Sequence, residues 1–254
     1  MKTNVDEKIL KRLLKTHTNE ETAKILKVSR ATVQRAIKIY NIEKNYREVI
    51  DSIIISDEAY NILYGSLLGD GHLVYVDKVN KEAYYRAEQG AKQKEYLYWK
   101  YDFLKDLCKC EPKECIRHEK VWSYYFQTRC HKDLTTLYSK FYTNKKKHIP
   151  HNFETELNEM MLAVWYMDDG TYNHHSELCV QGFSQVDIGR IISTLKLKFN
   201  IECSVIVRNG SYYNIQFSKE GTKRLHEIIN PYIIPTMKYK LYPCNDYVPT
   251  PYSK

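Results

Sequence analysis

The chain lacks any stretch approaching the ~18 consecutive apolar residues that a membrane-crossing helix needs, so a membrane-spanning class is set aside. The start, Met1-Lys2-Thr3-Asn4, runs into charged residues and lacks an apolar signal core. The expectation is a soluble protein made in the cytoplasm. Cysteine is present at 7 positions, an odd number, but no CxxC pair occurs. Without a secretion signal these read as reduced thiols and not as a disulfide framework. Cys108-x-Cys110, Cys115 and Cys130-His131 can be drawn as a zinc cluster, but the spacing argues against it; thiols around a helix end are the plainer account. Apolar residues are not scarce. At 43% they exclude a disordered polymer, and 254 residues suffice for one large domain or two smaller ones.

Charge is uneven. Of a net +8, residues 1–50 supply +6, with 12 Lys and Arg against 6 Asp and Glu. A basic N-terminal block suits a phosphate-rich partner. Residues 5–15 predict a helix with Val5, Ile9, Leu10, Leu13 and Leu14 on one face. Thr18 or Asn19 can cap a second helix carrying Ala23, Ile25 and Leu26, with Glu20 and Glu21 in its first turn. Lys27-Val28 makes a short turn, and Ser29 caps a third helix with Ala31, Val33, Ala36, Ile37 and Tyr40 inward. Arg30, Thr32, Gln34, Arg35 and Lys38 remain on the outer face, as candidate DNA contacts. The string Thr22–Val33 resembles helix-turn-helix modules, in which the second helix enters the major groove. A small bundle that binds protein is the alternative.

The remainder carries one pattern twice: Leu63-Tyr64-Gly65-Ser66-Leu67-Leu68-Gly69-Asp70-Gly71, and Leu162-Ala163-Val164-Trp165-Tyr166-Met167-Asp168-Asp169-Gly170. Asp70 and Asp169 are 99 residues apart. Each copy reads as an apolar helix stopped by Asp-Gly, with Gly free to turn left-handed past the helix end. A carboxylate in a last helical turn faces partial negative charge and costs up to ~1 kcal/mol, a sign that a bound cation reverses. After the first copy, His72–Asp77 and Tyr84–Gln89 predict a hairpin. A helix follows over Glu95–Leu107, with Leu97, Tyr98, Tyr101, Leu104 and Leu107 on one side. A second hairpin spans Glu114–Glu119 and Trp122–Thr128, and a helix spans Lys132–Phe141. After the second copy, Thr171–Asn173 pairs with Leu178–Gly182, Val186–Phe199 is helical, Cys203–Arg208 and Tyr212–Phe217 form a hairpin across Asn209-Gly210, and Lys219–Ile229 is helical. Each half is thus αββαββα.

These paired motifs resemble those of LAGLIDADG homing endonucleases. So do Phe141–Pro150 before the second motif and Asn230–Pro235 followed by Met237–Leu241, and the likeness covers about residues 56–243. The small third position of the motif is Gly65 in one copy and Val164 in the other. The resemblance implies an α+β fold of two pseudo-symmetric αββαββα halves forming a DNA-binding saddle, beside a small all-α N-terminal helix-turn-helix domain. The expected boundaries are 1–45 for that domain, 46–55 for a linker, and 56–155 and 156–254 for the two halves.

The implied activity is a metal-dependent staggered double-strand break. Asp70 and Asp169 act as metal ligands, with the carbonyls of Gly69 and Asp168, and Lys147 and Lys240 as active-site lysines. Lys145 and Lys146 are alternatives to Lys147 or phosphate contacts. Oxygen ligands suit Mg²⁺, with Mn²⁺ able to substitute. Further candidate DNA contacts are Tyr75, Tyr85, Arg86, Lys92, Lys94, Arg117, Arg129, Arg208 and Tyr213. Unlike halves imply a monomer on a long asymmetric double-stranded DNA site, with no membrane partner. The rival reading is a non-cleaving protein of the same fold, a transcription regulator or maturase.

Overall fold

The computed structural model describes residues 4–14, 17–42, 50–76, 81–208, 210 and 212–241. The chain divides into two compact units, Met1–Ile54 and Ile55–Lys254. Asp77, Asn209 and the linker residues up to 49 lie outside the described residues.

The first unit has three helices, α1 (Glu7–Leu14), α2 (Asn19–Ile25) and α3 (Arg30–Ile39). Thr18 caps α2 with a reciprocal pair. Its hydroxyl accepts the Glu21 N–H at 3.2 Å, and the Glu21 carboxylate accepts the Thr18 N–H at 2.6 Å. Lys27, at φ 53°, makes the left-handed turn, and the Ser29 hydroxyl caps α3 by accepting the Thr32 N–H. Val5, Leu10, Leu14, Ala23, Val33 and Ala36 form the core. Ile9, Ile25 and Ala31, expected inward, are exposed. On helices this short the buried stripe is one or two residues wide per turn, and the neighbours of a core position roll outward.

The second unit repeats itself. Its first half runs α4 (Asp57–Leu68), β1 (His72–Val76), β2 (Glu82–Gly90), α5 (Lys94–Leu104), β3 (Lys113–Arg117), β4 (Lys120–Gln127) and α6 (Lys132–Phe141). A hairpin, β5 (Tyr142–Thr143) and β6 (Lys146–Lys147), and a short helix α7 (Phe153–Glu156) lead to the second half. That half is α8 (Glu159–Asp169), β7 (Gly170–Asn173), β8 (His175–Cys179), α9 (Gln185–Phe199), β9 (Cys203–Arg208), β10 (Tyr212–Phe217) and α10 (Lys219–Ile229). The two antiparallel sheets have matching orders, β1-β2-β4-β3 and β7-β8-β10-β9. The α+β fold and its two αββαββα halves are as expected, and Gly210 turns the last hairpin at φ 77°.

Three details differ from the sequence reading. Strand β8 begins at His175, with Gly170 opposite Leu178, so residues 180–182 fall beyond the ladder. Tyr98 and Tyr101 are only half-buried on α5, while Tyr96 and Lys100 are buried. Neither motif helix ends in a left-handed glycine: Gly69 has φ −102° and Gly170 has φ −78°. Glycine serves close approach there.

Candidate active site

Helices α4 and α8 touch along their length. A Cβ at Gly65 would stand 2.5 Å from the Met161 carbonyl oxygen and 2.8 Å from Val164 Cβ, so the missing side chain makes the room that Val164 fills. At Gly69 a Cβ would stand 2.5 Å from Asp168 Cβ. The two C-terminal ends therefore arrive together, carrying Asp70 just past α4 and Asp168 and Asp169 at the end of α8.

Sequence reasoning missed a buried network under these ends. Lys100 Nζ donates to Asp168 Oδ1 at 2.6 Å and to Ser66 Oγ at 3.0 Å. Ser66 Oγ lies 3.0 Å from Asp168 Oδ2 and accepts from the Tyr85 hydroxyl at 2.8 Å. Gln89 Nε2 donates to Asp168 Oδ1 at 3.2 Å and to Asp70 Oδ2 at 3.1 Å. Tyr96 donates to the Val164 carbonyl, and the Lys100 ammonium sits 4.3 Å from the Tyr96 ring centroid. A signal for Lys100 existed, since Lys100 falls between Tyr96-Leu97 and Leu104 at helical spacing. For Gln89 the signal was the strand's alternation with Tyr85 and Ala87.

Two lysines close the site. Lys147 Nζ donates to the Gly69 and Gly71 carbonyls at 3.0 and 2.9 Å. The β5–β6 turn selects it from the run of three. Asn144 and Lys145 take positive φ of 52° and 64°, and Lys145 and Lys146 are exposed while Lys147 turns inward. Lys240 is buried, with Nζ 2.5 Å from the Met167 carbonyl and 3.0 Å from that of Asp168. Lys240 thus meets the last carbonyls of α8, where the helix dipole is negative, and Lys147 meets carbonyls just past the end of α4.

The electrostatics record the crowding. Burial, then repulsion from Asp70 and Asp168, pushes the Asp169 carboxyl up to about 7. Burial raises Asp168 against the pull of Lys100. Burial lowers Lys147 and Lys240, with the aspartates holding them up. The donor set expected from the sequence is oxygen, the Asp70 and Asp169 carboxylates with the Gly69 and Asp168 carbonyls; those two carbonyls accept from Lys147 and Lys240 here, and no group of three or more His, Cys, Asp or Glu is set to hold a metal among the described residues. Asp169, raised by burial and then by its acidic neighbours and taking no hydrogen bond among the described residues, fits a hard divalent cation as the missing positive partner. The Cys–His set does not gather: His131 caps α6 by accepting the Asp133 N–H, and burial pushes the Cys108 thiol up to about 12.

The candidate DNA contacts divide. Tyr85 is a correction. It is fully buried, because neighbours in a strand point to opposite faces, and Arg86 takes the outer one. Arg86 lies over the Tyr125 ring and pairs with Glu88, and Lys94 covers Tyr98 and Tyr124. Arg117 covers the exposed Trp122, and Lys92 is exposed. Tyr75 stacks on Tyr138, Arg208 pairs with Glu177, and the Tyr213 hydroxyl accepts from Gln185. Arg129 donates to the Asp106 carbonyl and is half-buried. In the first unit Arg30, Gln34, Arg35 and Lys38 are exposed, while Thr32 is half-buried with its hydroxyl 2.9 Å from that of Ser29.

Residues 60–225 match the family described as the LAGLIDADG DNA endonuclease family. DNA endonuclease I-ChuI of Chlamydomonas applanata is 28% identical over 209 residues, covering 74% of this chain and 95% of that protein. Cytochrome b mRNA maturase bI2 of Saccharomyces cerevisiae is 31% identical over 199 residues, 71% of this chain and 46% of that protein. The structure of the homing endonuclease I-WcaI bound to its DNA recognition sequence superposes with a TM-score of 0.70 at 27% identity, covering 81% of this chain and 96% of that one.

Proposed function

The chain belongs to the LAGLIDADG DNA endonuclease family, and we propose that it is a site-specific DNA endonuclease, making a staggered double-strand break by divalent-metal-dependent phosphodiester hydrolysis. The observation that carries this is the convergence of Asp70 and Asp169 from two equivalent helix ends, flanked by Lys147 and Lys240. The names of I-ChuI and I-WcaI favour the same activity.

Mg²⁺, or Mn²⁺ in its place, would be held by the Asp70 and Asp169 carboxylates and by the carbonyls of Gly69 and Asp168. Such an ion lowers the pKa of a bound water and neutralises charge on the phosphate. The chain's own residues do the rest. Gln89 orients the Asp70 carboxylate through its amide. Lys147 and Lys240, lowered by burial, present ammonium groups beside the reacting phosphates and stabilise the charge that develops there. Arg86, Arg117 and Arg208 on strands β2, β3 and β9, with Lys94 at the start of α5, are the side chains offered to the duplex by a saddle of two sheets; Tyr75, stacked on Tyr138 of α6, and Tyr213, bonded to Gln185 of α9, share the helix-facing sides of their strands with Leu73 and Ile215. The unlike halves suit a monomer on a long asymmetric site.

Residues 1–45 act as a helix-turn-helix module, 46–55 as a linker, and 56–155 and 156–254 as the two halves. On α3, Arg30, Gln34, Arg35 and Lys38 are the groove-facing side chains. No helix among the described residues is long and apolar enough to cross a membrane.

A randomised duplex library incubated with the chain and Mg²⁺ tests this reading. The expected result is recovery of one long asymmetric site cut on both strands. Recovery of bound but uncut duplex would favour the second reading, a non-cleaving nucleic-acid-binding role, which the maturase relative motivates.

A further inference from the structure

Beneath the site lies a charge that none of these steps uses. Lys100 shares the inner face of α5 with Tyr96, Leu97 and Leu104, and its side chain and that of Asp168 are both fully buried. Removing two such charges from water is costly, and apolar residues of the same volume are often at least as stabilising. Stability alone therefore gives no reason for an ion pair here. The hydrogen bonds lead outward: Asp168 Oδ1 accepts from both Lys100 Nζ and Gln89 Nε2, and Gln89 Nε2 also donates to Asp70 Oδ2. Strand β2 holds the Gln89 backbone in register opposite Tyr124, so the amide plane is set by the two carboxylates it joins. Asp70 is the exposed end of this chain of bonds, and Lys100 is its buried anchor.

Among the described residues the second half has no counterpart. Lys100 is the seventh residue of α5, counting from Lys94; the seventh of α9, counting from Gln185, is the buried Ile191. Where the second motif has Asp168, the first has Gly69. The ionic support is one-sided.

We propose that Lys100 is a positioning residue for the Asp70 side of the site. Held against Asp168, it fixes the Gln89 amide and through it the direction of the Asp70 carboxylate. Among the described residues, the Asp169 carboxylate takes no hydrogen bond from Lys100, Ser66 or Gln89. One strand of the duplex therefore depends on Lys100 more than the other. The strand bias rests on the endonuclease reading; the positioning of Gln89 does not.

Two readouts test it. On the full chain without metal or DNA, the Gln89 side-chain amide signals are identified by NMR through their loss in Gln89→Ala. In Lys100→Met, which keeps length and removes charge, these signals move toward the positions of a free amide. On a supercoiled plasmid carrying the recovered site, Lys100→Met accumulates nicked circles, its second cut slowed about tenfold more than its first, within the range for loss of an outer-shell partner. A purely structural role predicts unchanged Gln89 signals in the folded fraction and both cuts slowed in parallel with that fraction; this result overturns the proposal. If Lys100→Met does not fold, Ser66→Ala carries the same two readouts with smaller shifts, since it keeps both charges and removes the hydroxyl between them. Unchanged Gln89 signals in that variant are equally fatal. If the wild-type chain cuts no plasmid, the endonuclease reading fails, and the amide signals alone decide the positioning.

Discussion

The two halves of the larger unit share a topology and differ at nearly every position that touches the site. The first motif helix stops at Leu68, so Asp70 stands two residues beyond it and is exposed; the second runs through Asp169, which is half-buried. The first half offers the small Gly65, and the second fills that space with Val164. Gln89 of the first half hydrogen-bonds Asp70, whereas strand β8 of the second brings up Cys179, a thiol raised by burial and by Asp169 and Asp70. Equivalent backbones can thus bring two carboxylates together while surrounding each with different chemistry. Repetition supplies the pairing, and the departures from it supply electrostatic individuality.

The comparison breaks first at the carboxylates. Asp70→Asn and Asp169→Asn should each abolish double-strand cleavage, a loss of at least about 100-fold of the kind seen when a preorganised charge-stabilising group is removed. Duplex affinity measured with Ca²⁺ should be retained. Equal severity in both variants would show that the halves are obligate partners despite their differences; normal cutting of both strands by either variant would remove the metal assignment. Next come the lysines. Lys147→Met and Lys240→Met should each slow cleavage by roughly 10–100-fold, like other outer-shell losses. Single-turnover rates for each labelled strand should show the two variants harming opposite strands.

The helix contact gives a smaller effect. Gly65→Val would make the first half resemble the second, and its Cβ would collide with the Met161 carbonyl. A loss of ~1–3 kcal/mol in stability is expected from such overpacking, read by urea denaturation. Gly69→Ala should act similarly against Asp168. A neutral result at both positions would mean the helices part more easily than their contact implies.

The pH dependence is the mildest test and bears on Asp169. The folded chain holds the Asp169 proton more tightly than the unfolded chain, since its carboxyl sits at about 7. Its contribution to metal-free stability is present at low pH and is lost as pH rises through 7. Thermal melts between pH 5 and 8 should fall with rising pH, less steeply in Asp169→Asn. Cleavage should rise over the same window, because the cation and the proton compete for one carboxylate.

Much of this was legible in the residue order. Strands β9 and β10 and helices α6 and α10 begin and end where periodicity and turn residues put them. The repeat itself announced Asp70 and Asp169. What stayed hidden depends on contacts between distant segments. Lys100 sits at an apolar helical position, and only the arrival of Asp168 from 68 residues away makes its burial tolerable. Tyr85 and Arg86 are both candidate contacts in the sequence, yet alternation lets only one face outward; burial under the motif helix leaves that place to Arg86. The choice of Lys147 over its neighbours needed a left-handed turn at Asn144 and Lys145, which no local pattern marked.

The most direct test of the shared cation is a crystal of the chain with its recovered duplex and Mn²⁺, with anomalous scattering recorded at the manganese edge. A peak within ligand distance of both the Asp70 and Asp169 carboxylates and the scissile phosphates is expected. Manganese bound by only one of them, or at a site remote from both, would contradict the account.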